Sequence, residues 1–249
     1  MLKAGQGKRP AYSVYQIFWH SLDWLFPPAC GGCNQPGARW CMNCRRDVHL
    51  YPTHVCGRCG SPFAHHQNPS LCSSCRTRPP VFQALRAWAV FEGPVRNAIH
   101  RLKYRRDQAL GEILSLPLIE SVCSYSWPID LVTAVPLSRE RMFERGYNQS
   151  NLLALPIALA LGYPFRPEAI FRVRNTPSQV GLSGEERRKN VAGAFQASPG
   201  LVKNRNVLII DDVTTTGATI QSCAEALIEA GAQNTFGLTL ARVADFPVE

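Results

Sequence analysis

Apolar residues recur in two rhythms along this chain, and the rhythm changes near Pro79 and Pro80. Near the start, Val14, Ile17, Phe18, Leu22 and Leu25 fall at helical spacing, which predicts a short amphipathic helix packed on its own protein. From 28 to 80 the chain has little periodicity and few large apolar side chains. Beyond 80 strands and helices alternate. A strand is expected over 85–91, then a helix opened by Pro94 with Val95, Ala98, Ile99 and Leu102 on one face. A second helix over 108–123 leads to a short strand over 130–135, ended by Pro136, and to a helix over 146–161. The continuous apolar run 207–210 reads as a strand buried on both faces. A helix over 218–230, stopped by Gly231, and a last strand over 235–240 complete the pattern. Such alternation implies an α/β fold with a mostly parallel sheet and flanking helices, whose ligands bind beyond the carboxyl ends of the strands. Three units are expected: an amphipathic segment at 1–27, a cysteine-rich module at 28–80 and the α/β domain at 81–249.

Composition refines this division. Hydrophobic residues make up 45% of the chain, enough for a sizeable core, which excludes global disorder. The formal charge of +9 is uneven: residues 1–80 hold nine Lys or Arg against two acids, a net of +7. A basic front favours an acidic partner such as nucleic acid. His20 and Asp23 interrupt the apolar run that a signal peptide needs, and no stretch approaches the roughly 18 apolar residues of a membrane span. The expected compartment is the cytoplasm, with a peripheral position at the inner membrane as the alternative.

Eight of the ten cysteines form four C-x-x-C pairs: Cys30/Cys33, Cys41/Cys44, Cys56/Cys59 and Cys72/Cys75. A disulfide scaffold needs an oxidising compartment, and a thioredoxin-like motif uses one pair rather than four. Two thiolates separated by two residues grip one side of a tetrahedral ion, and two such pairs close its shell. A segment this poor in core-forming residues needs a metal to stay folded. Two structural zinc ions are therefore expected, one held by 30/33 with 41/44 and one by 56/59 with 72/75. An interleaved pairing stays open at this point. His49, His54, His65 and His66 read as surface residues rather than ligands. Arg39, Arg45, Arg46, Arg58, Arg76 and Arg78, interleaved with Trp40, Tyr51 and Phe63, are of a type that tracks phosphates and stacks bases.

The other chemical signal is VLIIDDVTTTGAT at 207–219. Asp211 and Asp212 sit at the end of the apolar run, followed by Thr214, Thr215, Thr216, Gly217, Ala218 and Thr219 running into a helix. A small-residue loop at a helix N-terminus offers N–H groups, hydroxyls and a positive dipole end to a phosphate. The two carboxylates are placed to accept hydrogen bonds from a diol. Phosphate beside a diol describes ribose 5-phosphate. No G-x-x-x-x-G-K-[ST] accompanies the acids, and no G-x-G-x-x-G follows a strand, which removes the P-loop and dinucleotide readings.

Residues 207–219 resemble the phosphoribosyl pyrophosphate (PRPP) motif of type I phosphoribosyltransferases. The wider chain resembles the ComF/GntX family of bacterial DNA-uptake and competence-associated proteins. The likeness covers LFPPACGGC, the four cysteine pairs, HRLKYRRD at 100–107, VPLSRERMFERGYNQSNLLA at 135–154 and RVRNTPSQVGLSGEERRKNVAGAF at 172–195. It implies that Asp211 and Asp212 bind ribose hydroxyls and residues 214–219 the 5′-phosphate, with magnesium accompanying PRPP. It puts Val135, Pro136 and Leu137, with Arg141 and Arg145, at the pyrophosphate side. Residues 174–190, including Arg174, Gln179, Arg187, Arg188 and Asn190, look like a flap over the site. Lys103 is a further candidate anion contact. Some relatives carry an aspartate proposed as a base near position 215, where this chain has Thr215. The resemblance implies three functions: handling of single-stranded DNA beside a PRPP-like site, phosphoribosyl transfer to a base or amine, or a purely structural assembly role. It also implies DNA-uptake proteins, such as a helicase, as partners.

Overall fold

The computed structural model describes residues 9–63, 70–174, 186 and 190–244. After α1 (Pro10–Leu25), two five-residue helices, α2 (Met42–Arg46) and α3 (Ser73–Thr77), carry the later cysteines of the two clusters. The α/β part then runs β1 (Ala84–Val90), α4 (Gly93–Tyr104), α5 (Leu110–Tyr125), β2 (Leu131–Ala134), α6 (Arg139–Arg145) and α7 (Gln149–Leu161). It ends with β3 (Ile170–Arg172), β4 (Phe195–Ala197), a one-turn helix α8 (Pro199–Val202), β5 (Asn206–Thr214), α9 (Ala218–Glu229) and β6 (Asn234–Arg242).

Four strands form a parallel sheet in the order β1-β6-β5-β2, and β3 pairs with β4 antiparallel. Alternation along β5 sends Leu208 and Ile210 into a core shared with α4, α5 and α7. It sends Val207 and Ile209 into a second core, under α9 and the β3–β4 pair. Burial on both faces is why 207–210 reads as an unbroken apolar run. The parallel sheet and flanking helices are those read from the sequence.

Three local features differ from that reading. β5 runs on to Thr214, so both acids lie inside the strand rather than after it. The expected helix over 146–161 begins only at Gln149; Gly146 (φ 81°) closes a separate helix α6, and Asn148 caps α7 by accepting from the Ser150 N–H. Short β3 and β4, too brief for periodicity to reveal, form an additional hairpin-like pair.

The amphipathic helix is present as α1, yet its named stripe faces outward: Val14, Ile17, Phe18 and Leu25 are all more than half exposed. The inward side is carried by Tyr12 and by Gln16, whose amide donates to Glu112 at 3.2 Å. Arg39 locks the helix end by donating to the Trp19 carbonyl at 2.5 Å and to Asp23 at 2.7 Å. Periodicity identified the helix; packing of aromatic and polar side chains chose its buried side.

β1 is an edge strand, and the cysteine-rich part covers its free edge. The Tyr51 N–H donates to the Trp88 carbonyl, the Val90 N–H to the His49 carbonyl and the Leu85 N–H to the Arg58 carbonyl, all at 2.8–2.9 Å. The approach at Gly60 is close: at φ 69° it lies in the left-handed region, and a Cβ there would stand 2.4 Å from the Leu85 carbonyl oxygen.

Candidate functional site: a buried acid pair and two sulfur clusters

The eight paired cysteines gather into two groups, Cys30, Cys33, Cys41, Cys44 and Cys56, Cys59, Cys72, Cys75, with the Sγ atoms of each group within 4.8 Å of one another. Adjacent rather than interleaved pairs therefore share a site. Backbone donors already point at sulfur: Cys41 N–H to Cys30 Sγ at 3.4 Å and Cys72 N–H to Cys56 Sγ at 3.3 Å. Burial opposes ionisation of Cys30, but the N–H groups of Cys41, Cys33 and Gly32 outweigh it and bring the thiol down to about 6. The Cys56 thiol falls to about 6 in the same way, through Cys72, Cys59 and Arg58. Burial and the crowding sulfurs push Cys44 and Cys75 up. Four sulfurs this close share their negative charge fully only around a cation, and an all-sulfur tetrahedral set fits structural zinc. His49 and His54 are exposed and join neither group, while His65 and His66 lie outside the described residues.

Both ribbons are tied to the α/β part through their carbonyls. Asn97 donates to Gly32 O and Arg101 to Cys30 O, each at 2.9 Å. In the second, Arg86 donates to Gly57 O at 2.9 Å and Arg242 to Cys59 O at 2.6 Å. Arg58 donates to Phe82 O at 2.9 Å. Arg39 and Arg58 thus serve internal contacts rather than a free basic surface, whereas Arg45, Arg46, Arg76 and Arg78 remain exposed. Tyr51 is buried beneath the Arg242 guanidinium, 5.8 Å from its ring centroid.

The acid pair lies at the carboxyl end of β5. Asp211 and Asp212 are 8% and 3% exposed. Asp211 Oδ1 accepts from Ser150 Oγ and from the Asp212 N–H, both at 2.9 Å. Asp212 Oδ1 accepts from the Val213 N–H at 2.9 Å, and its Oδ2 is paired with the Lys103 ammonium. Burial first, and the neighbouring Asp212 second, push the Asp211 carboxyl up to about 8; Lys103 and Ser150 pull the other way.

The strand then enters α9 through Thr215, Thr216 and Gly217. Gly217 adopts φ 81°, and a Cβ there would meet Leu85 Cδ2 at 2.9 Å, so the turn needs glycine. The N-cap, Gly217, has no side chain to offer the first turn, and Thr216 Oγ1 accepts weakly from the Ala218 N–H at 3.4 Å. Thr214, Gly217 and Ala218 are buried, Thr215 and Thr219 half-buried and Thr216 exposed.

The turn after β2 is brought to the same edge. The Val135 N–H donates to the Ile210 carbonyl at 3.0 Å, and the Val135 carbonyl accepts from Asn148 Nδ2 at 2.9 Å. Val135 is buried, Pro136 and Leu137 half-buried. Arg145 pairs with Gln149 and lies 5.4 Å over the Tyr104 ring, while Arg141 is exposed on α6. Of the residues expected to form a flap, Arg174 donates to the Asn190 carbonyl at 3.0 Å and the Ala192 carbonyl at 2.8 Å. Gln179, Arg187 and Arg188 lie outside the described residues.

Three residues that position this site were not singled out from the sequence: Tyr147, Asn148 and Ser150. Asn148 joins the β2 turn to α7, Ser150 holds Asp211, and the Tyr147 hydroxyl donates to the Leu102 carbonyl beside Lys103. Their signal lay in the GYNQS segment, where a left-handed glycine precedes an N-cap.

The double zinc ribbon family model matches residues 21–78. The DNA utilization protein YhgH of Salmonella typhi is 35% identical over 216 residues, covering 83% of this chain and 93% of that protein. The chain belongs to the ComF/GntX family. Competence protein F of Haemophilus influenzae is 29% identical, over 81% of this chain and 90% of that one. Among solved structures, the glutamine PRPP amidotransferase of B. subtilis is 20% identical with a TM-score of 0.35, covering 72% of this chain and 33% of that chain. The family rests on the sequence relatives.

Two outcomes follow from these geometries. Cys56→Ser leaves one zinc ion per chain in place of two, measured by metal analysis of gel-filtered protein; retention of two contradicts the adjacent pairing. Asp211→Asn keeps the Oδ1 acceptor and removes a carboxyl that holds its proton in the fold but loses it above about pH 4 when unfolded. Wild-type stability therefore drains as pH rises from about 4 towards 8. The melting temperature of Asp211→Asn should exceed that of wild type by a margin that widens between pH 5 and pH 8. A margin that is constant or shrinks contradicts the raised carboxyl.

Proposed function

We propose that this protein handles single-stranded DNA and binds PRPP, or a related ribose-phosphate ligand, at the end of β5. The observation that carries the ligand reading is the acid pair on β5 followed closely by the N-terminus of α9, whose N-cap is Gly217. In this reading Asp211 and Asp212 accept hydrogen bonds from the ribose hydroxyls. Residues 214–219 receive the 5′-phosphate through backbone N–H groups and threonine hydroxyls. Val135, Pro136 and Leu137 line the pyrophosphate side with Arg141 and Arg145. Magnesium, bound with PRPP, would supply the charge that offsets the pyrophosphate; the buried carboxylate of Asp212, already facing a cation, is chemically suited to a neighbouring one.

The DNA reading is supported by relatives named for DNA utilization and competence, and by the exposed arginines of a front segment carrying a net charge of +7. We assign ribbon work to 28–80 and ligand work to 81–249. Among the described residues no helix is long and apolar enough to cross a membrane, and we propose the cytoplasm as the compartment. Phosphoribosyl transfer is the second reading, favoured by the Lys103–Asp212 pair, which puts a cation beside the proposed ribose position. Release of pyrophosphate on adding bases or amines would establish it.

Titration calorimetry of the zinc-loaded protein with PRPP and Mg²⁺ tests the ligand reading. Asp212→Asn should weaken binding about tenfold or more, since a hydrogen bond to a charged group is lost. Wild-type binding should tighten between pH 6.5 and pH 8 as Asp211 gives up its proton. An unchanged affinity in the variant would remove the site assignment.

A further inference from the structure

A cleft of about 520 Å³ opens between the first zinc ribbon and α4, apart from the acid pair. Gly31 and Gly32 form its ribbon side, and Arg96, His100, Tyr104 and Arg105 line its helix side. Among the described residues no acidic side chain lines it. Arg101 is committed: it donates to Cys30 O at 2.9 Å, to Asn34 Oδ1 at 2.7 Å and to Asp107 at 2.5 Å, and so holds the cleft's shape. Arg96 and Arg105 are exposed, and neither forms a salt bridge among the described residues.

Along the same face aromatic rings form a row. Phe91 and His100 stack at 6.3 Å between centroids with 24° between planes, His100 meets Tyr104 at 5.7 Å, and the Arg145 guanidinium lies 5.4 Å over Tyr104. Tyr104 is 70% exposed, a large aromatic side chain left in solvent beside uncommitted cations.

We propose that this cleft is where a single-stranded polynucleotide lies, its phosphates against Arg96 and Arg105 and a base on Tyr104. The inference rests on the single-strand reading above and gives it a location. Uncommitted arginines with no carboxylate between them select a polyanion. A largely exposed aromatic side chain selects bases that are not already stacked in a duplex, and it tolerates any base because each has a π-face. The row leads towards the acid pair: Lys103 turns inward to Asp212 while its neighbour Tyr104 faces out, so one helical turn of α4 serves both sites.

Fluorescence anisotropy of a labelled 20-nucleotide oligothymidylate on the full zinc-loaded chain, over a salt series, tests this. Tyr104→Ala should weaken binding about tenfold at every salt concentration and leave the salt slope unchanged. The double variant Arg96→Gln/Arg105→Gln should flatten the log–log salt slope by about 1.4, at roughly 0.7 per phosphate contact on a single strand. These side chains are exposed, so the variants should keep two zinc ions, which metal analysis verifies. If wild type binds and both variants match it, the cleft assignment is overturned while the single-strand reading stands. If wild type does not bind at low salt, the single-strand reading falls and takes the cleft with it.

Discussion

Two carboxylates buried side by side at the end of a central strand repel each other, and the α/β part is arranged around that constraint. In a low-dielectric interior such a pair ionises fully only with a cation at hand. Asp211 meets it by holding its proton, its carboxyl pushed up to about 8, and Asp212 by pairing with Lys103. Lys103 sits on α4, whose end is held by the Tyr147 hydroxyl on Leu102 O. Asn97 and Arg101 fasten the same helix to the first ribbon. The first sulfur cluster, the helix and the counter-charge therefore form one mechanical chain. In the ligand reading proposed above, hydroxyls or an accompanying cation would take the place of the stored proton and the lysine.

Attachment of the ribbons follows a second rule. A small cysteine-rich segment lacks the apolar surface to dock as a helix would, so it docks through backbone carbonyls. Arg86, Arg101 and Arg242 reach from the α/β part to Gly57, Cys30 and Cys59 carbonyls, and the β1 edge closes against 49–58. Arginine suits this because its planar fork satisfies several acceptors with one ordered side chain. The consequence is that net charge overstates the free basic surface: Arg39 and Arg58 are spent inside, while Arg96 on α4 and Arg105 just past its end are not.

Much of this was legible in the sequence, for reasons that can be named. The run 207–210 disclosed a strand buried on both faces, and the four C-x-x-C pairs disclosed two tetrahedral sites with their ligands adjacent in sequence. Local spacing carries both signals. What spacing could not carry were contacts between distant segments. Ser150 reaches Asp211 across 61 positions, and Lys103 reaches Asp212 across more than 100, so neither could be assigned its partner. The outward stripe of α1 failed for a related reason. Helical periodicity shows that a face is apolar, but only the position of Tyr12 and Gln16 against α5 decides which face is covered. The short helix α6 was not anticipated because it buries no residue and so shows no apolar stripe, and the expected start of α7, at Gly146, lies three residues early.

The stored proton is the centre of this account, and carboxyl ¹³C NMR of aspartate-labelled, zinc-loaded protein reads it directly. One carboxyl should titrate near pH 8, be absent in Asp211→Asn and shift higher in Lys103→Met, where the opposing cation is gone. Titration of every aspartate near pH 4, unchanged by loss of Lys103, would contradict it.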